Sequence, residues 1–251
     1  MLFEQDRFNG VIIDPTSLAT DMSDLVADLD ELTTYLTQQQ KALAWVSIPI
    51  TSAASIPHFI NAGFAFHSCL RDELTLVRQP ETPTFVPFVP THTIGAGAIV
   101  LNDTAEILVV KEWRSPGFKL PGGHVEATER IQDSIQREVL EETGVEAVFE
   151  SIVGFTTKHP YQFGKSNLHF ICKMKAVTQA IAILDVDEIE EAKWVPLDTY
   201  ISDPTNSLSN RQLVSRVAFS SGLMATDISG NSGPHRKQEI FMAVPAISDD
   251  L

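Results

Sequence analysis

The stretch from Leu120 to Val145, LPGGHVEATERIQDSIQREVLEETGV, decides how the rest of the chain is read. It opens on Pro121-Gly122-Gly123. It then runs into a segment whose apolar residues Ile131, Ile135 and Val139 step by four, which predicts a helix with one core-facing stripe. Thr128 is the expected N-cap, and Gly144 the glycine just past the C-terminus. Glu138, Glu141 and Glu142 stand at i, i+3 and i+4. At about 3.6 residues per turn they share one side of the helix, and their arc abuts the apolar stripe. The carboxylates are therefore expected at the margin of the core. Like charges placed so closely repel, and acids at a helix C-terminus also oppose the macrodipole. A divalent cation removes that penalty, and hard oxygen ligands select Mg²⁺, Mn²⁺ or Ca²⁺. Arg137 carries a planar guanidinium able to clamp a carboxylate through two hydrogen bonds. Gly122 and Gly123 are expected to make a tight turn whose carbonyl faces the cation, where a side chain would block close approach.

From Gly123 the residues read Gly, five spacers, Glu129, seven spacers, Arg137-Glu138-Val139, one spacer, Glu141-Glu142, one spacer, Gly144-Val145. Every defined position resembles the Nudix box, Gx5Ex7REUxEExGU with U aliphatic. The resemblance implies a hydrolase of nucleoside diphosphates linked to another group, with Mg²⁺ as cofactor and Mn²⁺ as its substitute. It also implies that Arg137 orients the box glutamates, with Glu129 as its partner, and that Gly123, Glu129 and Gly144 are structural.

The remaining composition sets bounds. Apolar residues make up 43% of the 251, enough for a sizeable core. The net charge is −15, and phosphate contacts need clustered Lys and Arg, so no duplex nucleic acid is expected as partner. The same acidity repels nucleotides at long range, so bound metal and a few local bases must offset it. Cys69 and Cys172 lack metal-type spacing and read as reduced, buried thiols. The N-terminus, MLFEQDRFNG, has neither a basic nor an apolar leader region, and no stretch is long and apolar enough to span a membrane. A cytoplasmic protein with no membrane partner is expected.

Along the chain, residues 2–14 predict two strands about Asn9-Gly10, and Met22 to Thr37 a helix with Leu25, Leu29, Leu32 and Leu36 on one face. ALAWVSI reads as a strand, Ser52 to Ala62 as a helix with Gly63 as C-cap, and Phe64–His67 and Glu73–Val77 as strands. This β-β-α-β-α-β-β pattern predicts a small α/β domain over 1–79. Pro80, Pro83, Pro87 and Pro90 mark a stiff linker over 80–90. A second domain over 91–222 then begins with THTIGAGAIVL, whose Gly95 and Gly97 allow close approach of a ligand or a packed neighbour. Strands follow at Ile107–Trp113, Ala147–Thr156 and Leu168–Lys175, an acidic loop leads to Ala192–Val195, and a helix spans Ser207 to Phe219. Residues 223–251 form an extension with one last strand expected over Glu239–Val244.

AWVSIPI, INAGFAFHSC, FGKSNLHFIC and EIEEAKWVPLDTY resemble the Nudix subgroup that carries an N-terminal pre-Nudix domain, the plant ADP-ribose/NADH pyrophosphatases and their animal relatives. The implied architecture is α/β (α+β), a mixed sheet between helices preceded by the small domain. The implied substrate is ADP-ribose first and NADH second. The SQPWPFPxS array of one NADH-preferring branch is absent. The family often takes its general base from a later loop, where Glu188 in DVDEIEEAKW fits, with Glu190 or Glu191 as alternatives and the box acids Glu141 and Glu142 also able to act. Lys111, Trp113, Arg114, Lys119 and Lys165 are the expected substrate contacts, with His159 nearby, while His67 and His92 read as structural. A homodimer is expected. The rival readings are a pyrophosphatase of another capped or sugar nucleotide, and a nucleotide sensor or partner-binding protein that keeps the fold without turnover.

Overall fold

The computed structural model describes residues 1–6, 9–80, 85–230 and 238–243. The chain divides into two compact units, Met1–Pro90 and Thr91–Leu251.

In the first unit, strands β1 (Phe3–Gln5) and β2 (Val11–Ile13) pair antiparallel around Asn9-Gly10, as the dipeptide predicts. Helix α1 (Met22–Gln38) starts where the Asp21 carboxylate accepts the Ser23 amide at 2.8 Å, and it buries Leu25, Leu29, Leu32 and Leu36. Strand β3 (Ala44–Pro49) buries every second residue, Ala44, Val46 and Ile48. The helix expected over Ser52 to Ala62 is broken. A 3₁₀ turn at Ile50–Ser55 holds Ser52 outside helical dihedrals, and α2 covers only Ile56–Asn61. Pro57 accounts for the late start, because it lacks an N–H and suits the first turn. Gly63 then takes φ +85°, a left-handed cap. Strands β4 (Phe64–Cys69) and β5 (Glu73–Arg78) complete the sheet in the order β1-β2-β3-β5-β4. Cys69 is exposed, against expectation, because it ends the edge strand of this sheet. In the linker, residues 79–80 and 85–90 form no helix or strand, and Pro83 lies outside the described residues.

The second unit is built on β6 (His92–Leu101), β7 (Glu106–Glu112), β8 (Gly122–His124), β9 (Ala147–Lys158), β10 (Ser166–Ala176) and β11 (Ile189–Pro196). Helix α3 (Ile131–Thr143) lies on one face; α4 (Leu197–Ser202) and α5 (Leu208–Val217) lie on the other. Short strands β12 (Leu223–Ala225) and β13 (Phe241–Ala243) extend one edge, giving the order β11-β7-β6-β10-β9-β12-β13, with β8 paired to β6. Val244, the expected end of the last strand, lies outside the described residues. The alternation of β6 explains the two layers of core. Ala96, Ala98 and Val100 pack with Ile135 and Val139 of α3, while Ile99 packs with Tyr200 of α4 and Val214 of α5. This is the mixed sheet between helices that the sequence implies.

Gly122-Gly123 forms a strand instead of a turn. β8 pairs antiparallel with the first half of β6, Gly97 opposite Gly122 and Gly95 opposite His124. Gly122 takes φ +142°, and a Cβ there would overlap the Ala96 carbonyl. Thr128 is not the cap of α3; it takes φ +68°, and the cap position is Arg130, whose side chain makes no capping bond. Glu239 caps the helix from the far end of the chain. Its carboxylate accepts the Ile131 amide at 2.8 Å and the Gln132 amide at 3.2 Å. An anion at a helix N-terminus satisfies orphan donors and the macrodipole together. Phe241 packs near Phe149 beside the same core. Glu239→Ala should therefore lower the stability of the second unit by about 1–2 kcal/mol, read as a lower urea midpoint with unchanged slope.

Candidate active site

Helix α3 ends as the sequence requires, with Gly144 at φ +73° and its amide bonded to the Leu140 carbonyl at 2.7 Å. The three box glutamates do not share one environment. Glu142 is 3% exposed, deeper than a core margin, whereas the Glu141 side chain is 46% exposed. Glu138 lies between them in depth, at 15%. Helical rotation explains the spread, since Glu142 sits one residue closer than Glu141 to the rows of Ile135 and Val139. Gly122 donates its amide to Glu142 Oε2 at 2.7 Å. A Cβ at Gly123 would meet the Glu138 carboxylate at 2.7 Å, so the second glycine leaves room for an acid.

Arg137 ties the group together. Its Nε and Nη2 grip both oxygens of Glu129 at 2.9 and 3.0 Å, and its Nη1 donates to Glu138 and Glu141, each at 3.0 Å. These bonds pull the Glu129 carboxyl down to about 2 and hold the guanidinium charged. Burial pushes Glu138 upward, and pushes Glu142 up to about 7 against the opposing pull of Lys119 and the Gly122 amide.

Lys119 is the second internal cation. Its ammonium contacts Glu112 and stands 3.6 Å from Glu142 and 3.8 Å from Glu188. Burial pulls its pKa down, but the surrounding carboxylates outweigh burial and hold it charged. Among the described residues, no three His, Cys, Asp or Glu side chains already converge on one cation position, because Arg137 stands between Glu138 and Glu141. The donors still fit a hard divalent ion by chemistry. They are carboxylates only, one is buried with a single backbone donor and a lysine for compensation, and the Gly122-Gly123 backbone lies against them.

Glu188 reaches this cluster from the loop before β11. The Trp113 amide donates to the Glu188 carbonyl at 3.2 Å, and the Trp113 indole N–H donates to the Val186 carbonyl at 3.0 Å. Trp113 thus anchors the acidic loop, a contact that sequence does not indicate. Glu190 pairs with Lys111 at 2.9 Å and Glu191 with Lys193 at 3.0 Å, so both alternative bases are engaged. Lys111 precedes Glu112 on β7 and so projects to the opposite face of the sheet from it.

A cleft of about 490 Å³ opens beside Lys119 and Gly122. Thr156, Thr157, Lys158 and His169 line one side and Ser207, Ser209 and Asn210 the other. Of the expected substrate residues, Lys119 lines it and Lys111, Trp113, Arg114 and Lys165 do not. Lys165 lies in the turn that follows Tyr161, with its amide bonded to the Gln162 carbonyl at 2.9 Å. His159 bonds Ser166 at 2.7 Å and packs on His92. The sequence does not single out Lys158 or His169 because strand pairing brings them to the cleft; His169 interrupting the apolar run LHFIC is the available signal, and Lys158, in the polar end of its strand, carries none.

The Glu129 carboxyl, ordinarily near 4.5, is held at about 2 in the folded chain. Its stabilisation is therefore full above the unfolded value and lost as pH falls toward the folded one. Wild type should lose stability between about pH 5 and about pH 3 more steeply than Glu129→Gln, as read from urea midpoints.

Residues 91–217 match the NUDIX domain and residues 1–79 the Nudix hydrolase domain that accompanies it. The chain is 32% identical over 206 residues to Nudix hydrolase 8 of Arabidopsis thaliana, covering 79% of this chain and 56% of that protein. It is 32% identical over 225 residues to the human protein nucleoside diphosphate-linked moiety X motif 6, covering 86% of this chain and 70% of that one. The MutT protein of Methanosarcina mazei Go1 superposes with a TM-score of 0.44 at 23% identity, over 52% of this chain and 96% of that one. The chain spans just over half the length of the plant relative. With the complete box and both domains matched, the chain belongs to the Nudix hydrolase family, in the subgroup that carries the additional N-terminal domain.

Proposed function

We propose that the chain hydrolyses the pyrophosphate bond of a nucleoside diphosphate derivative, with ADP-ribose first and NADH second, releasing AMP and a phosphorylated remainder. The observation that carries this reading is the buried Glu142 carboxylate, set with Lys119 and Glu188 beside the cleft. Membership of the family supports the reaction class; the resemblance of the first unit supports the substrate.

Glu138, Glu141, Glu142 and the Gly122 carbonyl would hold Mg²⁺ or Mn²⁺, which when bound neutralises the phosphates and acidifies a water. Arg137, fixed by Glu129, keeps the acids in place through the cycle. Lys119 supplies a fixed positive charge for the phosphate bridge in a chain of net charge −15. Glu188 takes the proton of the attacking water, because it is more than half exposed and its own ion pair, with Lys119 at 3.8 Å, is longer than the 2.9 and 3.0 Å pairs that hold Glu190 and Glu191. Both thiols are free, which supports a reducing, cytoplasmic setting. Phe66 on the edge strand β4 and Leu70 just past its end, 64% and 62% exposed, support a homodimer.

With Mg²⁺, wild type should turn over ADP-ribose and Glu142→Gln should not; a variant as fast as wild type rules out the metal-site assignment. Turnover by wild type also separates an enzyme from a nucleotide sensor. Glu188→Gln should lower kcat by roughly a hundredfold or more, with Glu190→Gln and Glu191→Gln staying near wild type. Light scattering on the full chain should give twice the 27.6 kDa chain mass.

A further inference from the structure

Gly95 and Gly97 on β6 leave space for one particular ring. His169 on the parallel strand β10 is in register with Gly95. A Cβ at Gly95 would lie 2.6 Å from His169 Nδ1, and one at Gly97 would lie 2.8 Å from Nε2. Both glycines are therefore needed where they stand, because the imidazole lies across them. The ring borders the cleft, and neither of its nitrogens makes a hydrogen bond with a described residue. Burial, with Lys158, Lys119 and His124 adding to it, pulls its pKa down to about 4. It is neutral at physiological pH and offers one donor and one acceptor. A largely buried ring with both nitrogens unspent pairs most favourably with a ligand that supplies both kinds of group.

The other walls narrow the ligand. Thr156, paired with His169 and so on its face of the sheet, presents a hydroxyl, as does Ser209; Asn210 presents an amide, Lys158 a cation, and Leu120, Ile171 and Leu213 the apolar part of the wall. Among the described lining residues there is no carboxylate, and no aromatic ring besides the imidazole. Such a surface lacks the aromatic stacking platform that a base would use; its polar groups match the hydroxyls of a sugar phosphate and its aliphatic side chains the carbon face of the ring.

We propose that His169 is a specificity-determining residue, hydrogen-bonding the sugar joined to the second phosphate, so that the cleft reads this sugar and not the base. This rests on the pyrophosphatase reading above. In His169→Phe, which keeps a ring and loses its nitrogens, KM for ADP-ribose should rise roughly three- to tenfold with kcat within about twofold. The same factor should appear with 1,N6-etheno-ADP-ribose, whose base is altered. It should vanish with the β-methyl ester of ADP, which has no second sugar. His169→Gln, which keeps a donor and an acceptor, should restore most of the loss and serves where the Phe variant fails to fold. An unchanged KM overturns the proposal. So does an equal rise with the methyl ester, or an effect that disappears with the altered base. Calorimetric binding of ADP-ribose gives the same contrast without turnover. Wild type that binds but does not cleave sinks the hydrolysis reading and leaves the His169 contrast to be read from Kd; absence of binding sinks both.

Discussion

The bidentate bond between Arg137 and Glu129 is the constraint on which the site depends. It fixes the guanidinium so that its remaining nitrogen faces Glu138 and Glu141. Without a fixed cation, three acids on one side of a helix C-terminus repel one another and oppose the macrodipole. With it, a surface that would be costly becomes a stable, negatively charged platform. Glu129 lies outside the helix, in the segment leading into it, so the clamp also ties that segment to the second turn of α3.

The sheet supplies the other half. β8 lies on β6 because Gly122 and Gly123 remove the side chains that would hit the Ala96 carbonyl and the Glu138 carboxylate. That close approach lets the Gly122 amide reach the buried Glu142. Lys119, just upstream, then compensates a carboxylate that burial alone would push toward its protonated form. Among the box acids the two cations divide the work: Arg137 holds Glu129, Glu138 and Glu141, and Lys119 stands beside Glu142, the deepest.

The active helix is also held by a residue remote in sequence. Glu239 caps α3 where its own N-terminal residues do not. The stretch that carries it forms β13 at the sheet edge and sets Phe241 beside Phe149. Residues 223–225 and 239–243 thus pack as part of the second unit.

Much was legible in the sequence. The spacing of Ile131, Ile135 and Val139, the box pattern and the leucines of α1 depend on local periodicity, and local periodicity survives folding. Arg137 as clamp and Gly144 as cap are likewise short-range. What sequence could not give depends on pairing between distant segments. The pairing of β10 with β6 places His169 over two glycines separated from it by more than seventy residues. The edge strands bring Glu239 to a helix over a hundred residues away, and it fills the capping role that residue type suggests for Thr128. The spacing of the acids dictates an arc, but its depth, from exposed Glu141 to buried Glu142, is set by the sheet it packs on. Sequence determined which groups exist and their order along one helix; only tertiary structure decided their neighbours, because desolvation and charge pairing act through space and not along the chain.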